Sequence, residues 1–153
     1  MTTELTSKHS NHKTHKADVH TTLVGIDYGE RNLGIALGKN GLVAPLKIIS
    51  GKDVAACIHE LIRIALENKA EGYVAGIPLT ADGRETTQST IIKNFCKILK
   101  IRSKKPVYFH NEYGTSREAT AEALSLGYSK KGRGLADHLA AALTLKRYYE
   151  NVE

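Results

Sequence analysis

The sequence has no tryptophan, and aromatic residues make up only 6% of its 153 positions. Proteins that bind single strands by stacking bases use exposed aromatic rings, so this class is disfavoured. No apolar run approaches the ~18 residues that a membrane-spanning helix needs, so we expect no membrane segment. The first twenty residues also lack the apolar stretch of a secretory signal. We therefore expect a cytoplasmic protein.

Cysteine is equally scarce, with Cys57 and Cys96 the only two. Both fall on the apolar faces of predicted helices. This placement is typical of small buried apolar side chains in a reducing compartment, and it does not indicate a disulfide or a metal site.

Basic residues outnumber acidic ones, 22 to 16, which gives a formal net charge of +6. The isoelectric point is about 9.3. This balance favours a polyanionic partner without identifying one. Because aromatic residues are few, contact with phosphates is a more natural use of the charge than base stacking.

The N-terminal segment differs in composition from the rest of the chain. Residues 1–20 are polar and include four histidines. A segment with so little apolar content cannot contribute to a core, so we predict a disordered tail over 1–20 and a folded domain over 21–150.

The folded region predicts a single α/β domain. Three short apolar runs separated by turns, at 22–28, 33–38 and 42–49, indicate an antiparallel meander. Helices then alternate with strands, which is typical of parallel strands. The predicted elements are a helix at 52–68 with Ser50 and Asp53 as a capping box, a strand at 73–77, a helix around 91–99, a strand at 107–109, and helices at 116–126 and 135–149. We expect a mixed β-sheet flanked by helices.

Three acidic residues stand in separate segments that a fold could bring together. Asp27 ends an apolar strand, Glu112 follows another, and Asp137 opens the predicted final helix. Converging carboxylates repel one another, and a fold tolerates this mainly when cations lie between them. Hard oxygen ligands suit Mg²⁺ or Mn²⁺, and two such ions are the usual apparatus of phosphodiester cleavage. We predict these three residues as catalytic residues and as ligands of a two-ion site.

Each carboxylate also has an ordinary structural explanation. Asp27 could form a turn, Glu112 could be a solvated loop residue, and Asp137 could be a helix N-cap. The apolar setting of Asp27 favours function, because a carboxylate in an apolar strand is costly unless it is paired or metal-bound.

Basic residues in two turns are candidates for nucleic-acid binding. Arg84 follows a turn at Asp82 and Gly83, and a glycine-flanked segment just ahead of Asp137 carries the others. The predicted phosphate-binding residues are Arg84, Lys130, Lys131 and Arg133. The alternatives are a simple turn for Arg84 and a solvated mobile loop for the other three residues.

Four motifs carry a resemblance to a known family. They occur in the order Gly25–Ala36, Gly76–Gly83, Glu112–Ala119 and Asp137–Ala141. Together they resemble the YqgF-type family of Holliday junction resolvases, also described as pre-16S ribosomal RNA nucleases. The likeness covers about residues 21–150. It implies a ribonuclease H-like fold and metal-dependent phosphodiester hydrolysis, with catalytic carboxylates at Asp27, Glu112 and Asp137.

One departure from the family pattern bears on activity. The family usually has an Asp-Glu-Arg triplet where this chain has Asn111, Glu112 and Tyr113. A tyrosine hydroxyl does not replace a bidentate guanidinium as a phosphate ligand. A non-catalytic nucleic-acid-binding module is therefore an alternative. The intact carboxylates argue against it, because a pure binder gains nothing from negative charge facing phosphates.

The predicted function is a metal-dependent nuclease that acts on structured nucleic acid. Processing of the 5′ end of pre-16S ribosomal RNA is favoured, and resolution of Holliday junctions in DNA is the alternative. A sugar-kinase or actin-like ATPase, suggested by Gly25-Ile-Asp27, needs two lobes around its nucleotide, and one domain leaves no room for them. We expect no small-molecule cofactor. The sequence leaves open the choice between RNA and branched DNA, and the oligomeric state.

Overall fold

The computed structural model describes residues 17–112 and 133–152, with the backbone alone for 133–138. Five strands and three helices make up this part of the chain. In order they are β1 (Leu23–Tyr28), β2 (Asn32–Lys39), β3 (Leu42–Ser50), α1 (Val54–Glu67), β4 (Gly72–Ile77), α2 (Thr87–Ser103), β5 (Val107–Asn111) and α3 (Arg133–Asn151).

The strands form one mixed sheet in the order β3-β2-β1-β4-β5. β2 is antiparallel to both β1 and β3. β4 is parallel to both β1 and β5. The predicted α/β fold, with an antiparallel start followed by parallel strands, is therefore confirmed. Because β1, β4 and β5 run in the same direction, their carboxyl ends meet at one edge of the sheet.

The main core lies between the sheet and the two helices α1 and α2. The apolar positions of α1 recur at helical spacing, so Ile58, Leu61 and Ala65 point together toward the sheet. Phe95 and Leu99 of α2 pack into the same cluster. Both cysteines are buried in it, as predicted, and both are free thiols. Burial of the apolar faces of α1 and α2 holds both helices on one side of the sheet.

Helix α3 covers the opposite face and runs antiparallel to β1. The Tyr149 hydroxyl donates to the carbonyl of Thr21, just before β1, at 2.6 Å. Further along β1, a Cβ placed on Gly25 would lie 3.0 Å from the carbonyl oxygen of Ala141 and 3.1 Å from Cβ of Leu145. The absence of a side chain at Gly25 therefore allows α3 to pack close against the central strand.

The start of α1 differs from the prediction. Its N-cap is Asp53, whose side chain accepts a hydrogen bond from the backbone N–H of Ala56 at 3.1 Å. The predicted capping box with Ser50 is wrong, because Ser50 is the last residue of β3 and pairs with Asn32 in the sheet. Asp53 can cap the helix alone, since an aspartate oxygen satisfies an otherwise unpaired N–H of the first turn.

The start of α3 also differs. The helix begins at Arg133, so Arg133 lies in the helix and not in the predicted loop. Asp137 is then in the second turn, and the prediction that it opens or caps the helix is wrong. Early glycines do not prevent helix formation where tertiary packing stabilises the rest of the helix.

The folded part reaches further toward the N-terminus than predicted. Ala17 is only 3% exposed and packs in the cluster on the α3 side of the sheet. Residues 18–21 form a turn, closed by a bond from the N–H of Thr21 to the carbonyl of Asp18. The prediction that the tail extends to residue 20 is therefore wrong for 17–20. Residues 1–16 and the predicted helix at 116–126 lie outside the described residues.

No helix within the described ranges is long and apolar enough to cross a membrane.

Candidate active site

Asp27 lies on the α3 side of the sheet, near the carboxyl end of β1. Successive strand residues point to opposite faces, so Asp27 shares a face with Gly25, the residue that α3 covers. Its neighbour Ile26 pairs with Ala75, which brings Asp27 beside Gly76 of the parallel strand β4. The side chain is half-buried. The strand order thus holds a carboxylate at the central strand, where the parallel ends meet.

Glu112 reaches the same place from β5. Its backbone N–H donates to the carbonyl of Ile77 at 2.9 Å, which continues the β4–β5 ladder by one residue. Its side chain then turns back over β4. A Cβ built on Gly76 would overlap with Oε1, Cδ and Cγ of Glu112. The carboxylate therefore occupies the space left by the missing side chain of Gly76.

Helix α3 supplies the hydrogen-bond partner of this carboxylate. The Thr144 hydroxyl, which is fully buried, donates to Oε1 of Glu112 at 2.6 Å. Thr144 is one of two buried polar side chains among the described residues; the other, Ser89, completes the capping box of α2. A buried hydroxyl needs a partner, and here that partner is an acidic side chain at the strand ends.

The carboxylates of Asp27 and Glu112, called here the carboxylate pair, act on one another electrostatically. Burial raises the pKa of Glu112, and the nearby charge of Asp27 raises it further, to about 7. The Thr144 hydrogen bond and the positive charge of Arg147 oppose this rise. A carboxyl whose pKa lies near neutrality is typical of functional sites, where like charges are held together.

Two further residues, His110 and Arg147, lie close to the pair. His110 pairs with Gly76 in the sheet and lies two residues before Glu112, so it occupies the α3 side. Burial lowers the pKa of His110, and the charge of Arg147 lowers it further. The ring of Tyr148 packs on Tyr108 at 5.6 Å, which holds this part of α3 over β5. Arg147 therefore lies in the helix segment that adjoins β5.

The donor set of the pair fits a hard divalent cation. Both groups are oxygen ligands, and a cation between them would offset the repulsion that, after burial, raises the pKa of Glu112. Among the described side chains, no group of three or more acidic, histidine or cysteine residues lies close enough to hold a metal ion. The structure thus brings together two of the three predicted carboxylates. The side chain of Asp137 lies outside the description.

The predicted phosphate contacts are described only at Arg84. Its Nε lies 2.7 Å from Oδ2 of Asp82, and its side chain is 79% exposed. The turn is closed by a bond from the Thr80 N–H to the Arg84 carbonyl at 2.9 Å. It follows β4 directly, so Arg84 lies at the same edge of the sheet as the pair. Lys130 and Lys131 lie outside the described residues.

Comparison with known proteins identifies the family of this chain. The sequence model of RuvX, described as Holliday junction resolvase, matches residues 21–151. The chain belongs to the RuvX family.

Relatives of this RuvX-family chain are described as "Putative pre-16S rRNA nuclease". One from Thiobacillus denitrificans is 31% identical over 137 residues, which cover 88% of this chain and 94% of the relative. Another from Nitratidesulfovibrio vulgaris is 33% identical over 128 residues, 82% of this chain and 90% of the relative. The resemblance inferred from the four motifs is confirmed.

Solved structures share the fold at low sequence identity. The RuvC protein of T. thermophilus in complex with a Holliday junction substrate has a TM-score of 0.56 at 16% identity, covering 88% of this chain and 99% of that one. The Holliday junction resolvase of fowlpox virus has a TM-score of 0.52 at 15% identity, covering 86% of this chain and 99% of the other. The predicted ribonuclease H-like single domain is confirmed at the level of fold.

Sequence reasoning did not find several residues around the pair. Thr144 lies seven positions after Asp137, close to two helical turns, so helical spacing alone could have placed it on the same side of α3. His110 alternates with Glu112 in the strand pattern. Gly76 opens one of the four motifs, but its structural role could not be predicted, because that role depends on a side chain that arrives from outside its own strand.

Proposed function

We propose that this RuvX-family chain is a divalent-metal-dependent nuclease, with Asp27, Glu112 and Asp137 as catalytic residues and ligands of Mg²⁺ or Mn²⁺. Its favoured substrate is the 5′ end of pre-16S ribosomal RNA, processed in the cytoplasm. The observation that carries the proposal is the carboxylate pair at the joined carboxyl ends of parallel strands. The pair gains no stability from this arrangement, because burial and mutual repulsion raise the pKa of Glu112 to about 7.

The course of α3 supports the inclusion of Asp137. The helix passes Gly25 at Ala141 and runs antiparallel to β1. Residue 137 precedes Ala141 by four positions, about 6 Å along a helix. Asp27 follows Gly25 by two positions, about 7 Å along a strand. Both advance toward the same edge of the sheet, so residue 137 reaches the level of Asp27.

The chain's residues would divide the work of hydrolysis. Bound ions would supply an activated water and stabilise the charge on the transferred phosphate. Asp27 and Glu112 would hold the ions on the α3 face of the sheet. Arg147 adjoins the pair and offers a positive charge there, in a chain whose sequence has Tyr113 where the family pattern has an arginine.

The proposal is tested by amide substitutions. Asp27→Asn, Glu112→Gln and Asp137→Asn each keep the size of the side chain and remove a metal-binding charge. Each should lower Mn²⁺-dependent cleavage by orders of magnitude, since metal stabilisation of transition-state charge is worth several kcal/mol. Asp82→Asn is the control, because Asp82 is exposed and its oxygens bind Thr80 and Arg84. Full cleavage by all three amide variants would contradict the proposal.

Resolution of Holliday junctions is the second candidate. It is favoured by the description of the matching family and carries a geometric requirement. Symmetric cleavage of two strands needs two active sites related by a two-fold axis, so a resolvase should dimerise on a four-way junction. The assay compares a four-way junction with a precursor RNA and measures the mass of the complex. A monomer that trims only RNA would support RNA processing.

A further inference from the structure

We propose that Gly76 and Thr144 form a seat that holds the carboxylate of Glu112 beside Asp27, and that Thr144 is a positioning residue for metal binding. The inference rests on the proposed function only for the role of the carboxylate pair. Gly76 lies in β4 and Thr144 in α3, whereas Glu112 follows β5. One provides space and the other provides a hydrogen bond.

Gly76 determines where the carboxylate can lie. The side chain of Glu112 fills the volume that any Cβ on Gly76 would occupy. Gly76 is in β4, a strand whose residues are all buried, so it cannot shift to make room. A larger residue at this position would push the carboxylate away from the sheet, which would change its distance from Asp27.

Thr144 determines how the carboxylate is oriented. Its hydroxyl bonds Oε1 of Glu112 at 2.6 Å, within the short range typical of a hydroxyl bonded to an ionised oxygen. Thr144 has no exposed surface, and its helix is held on the sheet by Tyr149 and Leu145. The hydroxyl is therefore a fixed donor, and one oxygen of Glu112 is engaged by it.

The hydrogen bond therefore fixes one carboxylate oxygen of Glu112, and the other oxygen would bind the metal ion. Groups that orient a metal ligand commonly change metal affinity 10–100-fold when they are removed.

The test compares Thr144→Val with Thr144→Ser in the full chain. Valine keeps the shape of threonine and removes the donor, while serine keeps the donor. We expect Mn²⁺ dissociation constants, measured by electron paramagnetic resonance of free Mn²⁺ without nucleic acid, to rise about 10-fold or more for the valine variant. The serine variant should bind close to the parent level. Melting in EDTA confirms that each variant is folded.

Cleavage kinetics distinguish a loss of Glu112 positioning from a general loss of structure. The valine variant should need more Mn²⁺ for half-maximal cleavage and should show a lower kcat, with KM for the nucleic acid unchanged. Gly76→Ala should weaken Mn²⁺ binding in the same way. Equal Mn²⁺ affinity of the parent and the folded valine variant would overturn the inference, as would the absence of Mn²⁺ binding by the parent. If the parent binds Mn²⁺ but cuts neither RNA nor a junction, the nuclease proposal fails. The Mn²⁺ affinities of the parent and the valine variant would still test whether Thr144 positions Glu112.

Discussion

Replacing Glu112 by glutamine should make the metal-free protein more stable at alkaline pH. The pKa of Glu112 is raised from 4.5 to about 7 in the folded state, first by burial and then by Asp27. The folded protein therefore retains a proton on Glu112 that the unfolded chain releases above pH 4.5. Stability from this proton is fully present below pH 4.5, declines as pH rises toward 7, and is lost above 7.

The size of the stability change follows from the pKa shift of Glu112. Each pKa unit corresponds to about 1.4 kcal/mol, so the whole change amounts to at most about 3.5 kcal/mol. Glutamine carries no charge at any pH and keeps an oxygen that can accept the Thr144 hydrogen bond. The parent should therefore lose up to this amount, relative to the Glu112→Gln variant, between pH 4.5 and 8.

The assay is urea unfolding of both proteins in EDTA at half-unit steps from pH 5 to 8.5. The control is Glu60→Gln. Arg63 and Lys47 hold the pKa of Glu60 at about 2, so its contribution changes only below pH 4.5 and its difference curve should be flat in this range. Parallel stability profiles for the parent and the Glu112→Gln variant would refute the view that Glu112 is buried against Asp27. Added Mg²⁺ or Mn²⁺ should stabilise the parent and not the variant.

Three other perturbations give distinct outcomes. Deleting residues 1–20 should lower the melting temperature more than deleting 1–16, because only the longer deletion removes buried Ala17; equal melting temperatures would contradict this. Arg147→Met should move the pH profile of cleavage to higher pH, since the charge of Arg147 lowers the pKa of Glu112, whereas Arg147→Lys should not. Neutralising Lys130, Lys131 and Arg133 together should weaken nucleic-acid binding and reduce its salt slope by up to ~3, about one unit per lost phosphate contact; an unchanged slope would exclude phosphate contact.

The order and type of the elements could be read from the sequence. Strand and helix periodicities differ, and each apolar run is separated from the next by turn-forming residues. The meander from Leu23 to Ser50 and the alternation that follows it were predicted for this reason. The ends of the helices and strands were harder to predict. Ser50 and Asp53 are both good capping residues, and only hydrogen bonding in the sheet decides which one caps α1.

The sequence also singled out Asp27 and Glu112, because a carboxylate in or beside an apolar strand needs a reason. It could not establish that they meet. That depends on β4 pairing in parallel with both β1 and β5, a choice made by long-range hydrogen bonds. It depends equally on Gly76, whose missing side chain gives Glu112 a place to lie.

Thr144 shows, at a single residue, the difference between what the sequence determines and what the tertiary structure decides. In the sequence it is the one polar residue in the apolar run 139–145, with several acceptable explanations. In the structure it is fully buried and bonds Glu112 from a helix on the other side of the carboxylate. Local patterns determine which elements form, since propensity and periodicity act over a few residues. The partner of a buried hydroxyl is decided only when the chain packs, because that partner lies 32 residues away in sequence.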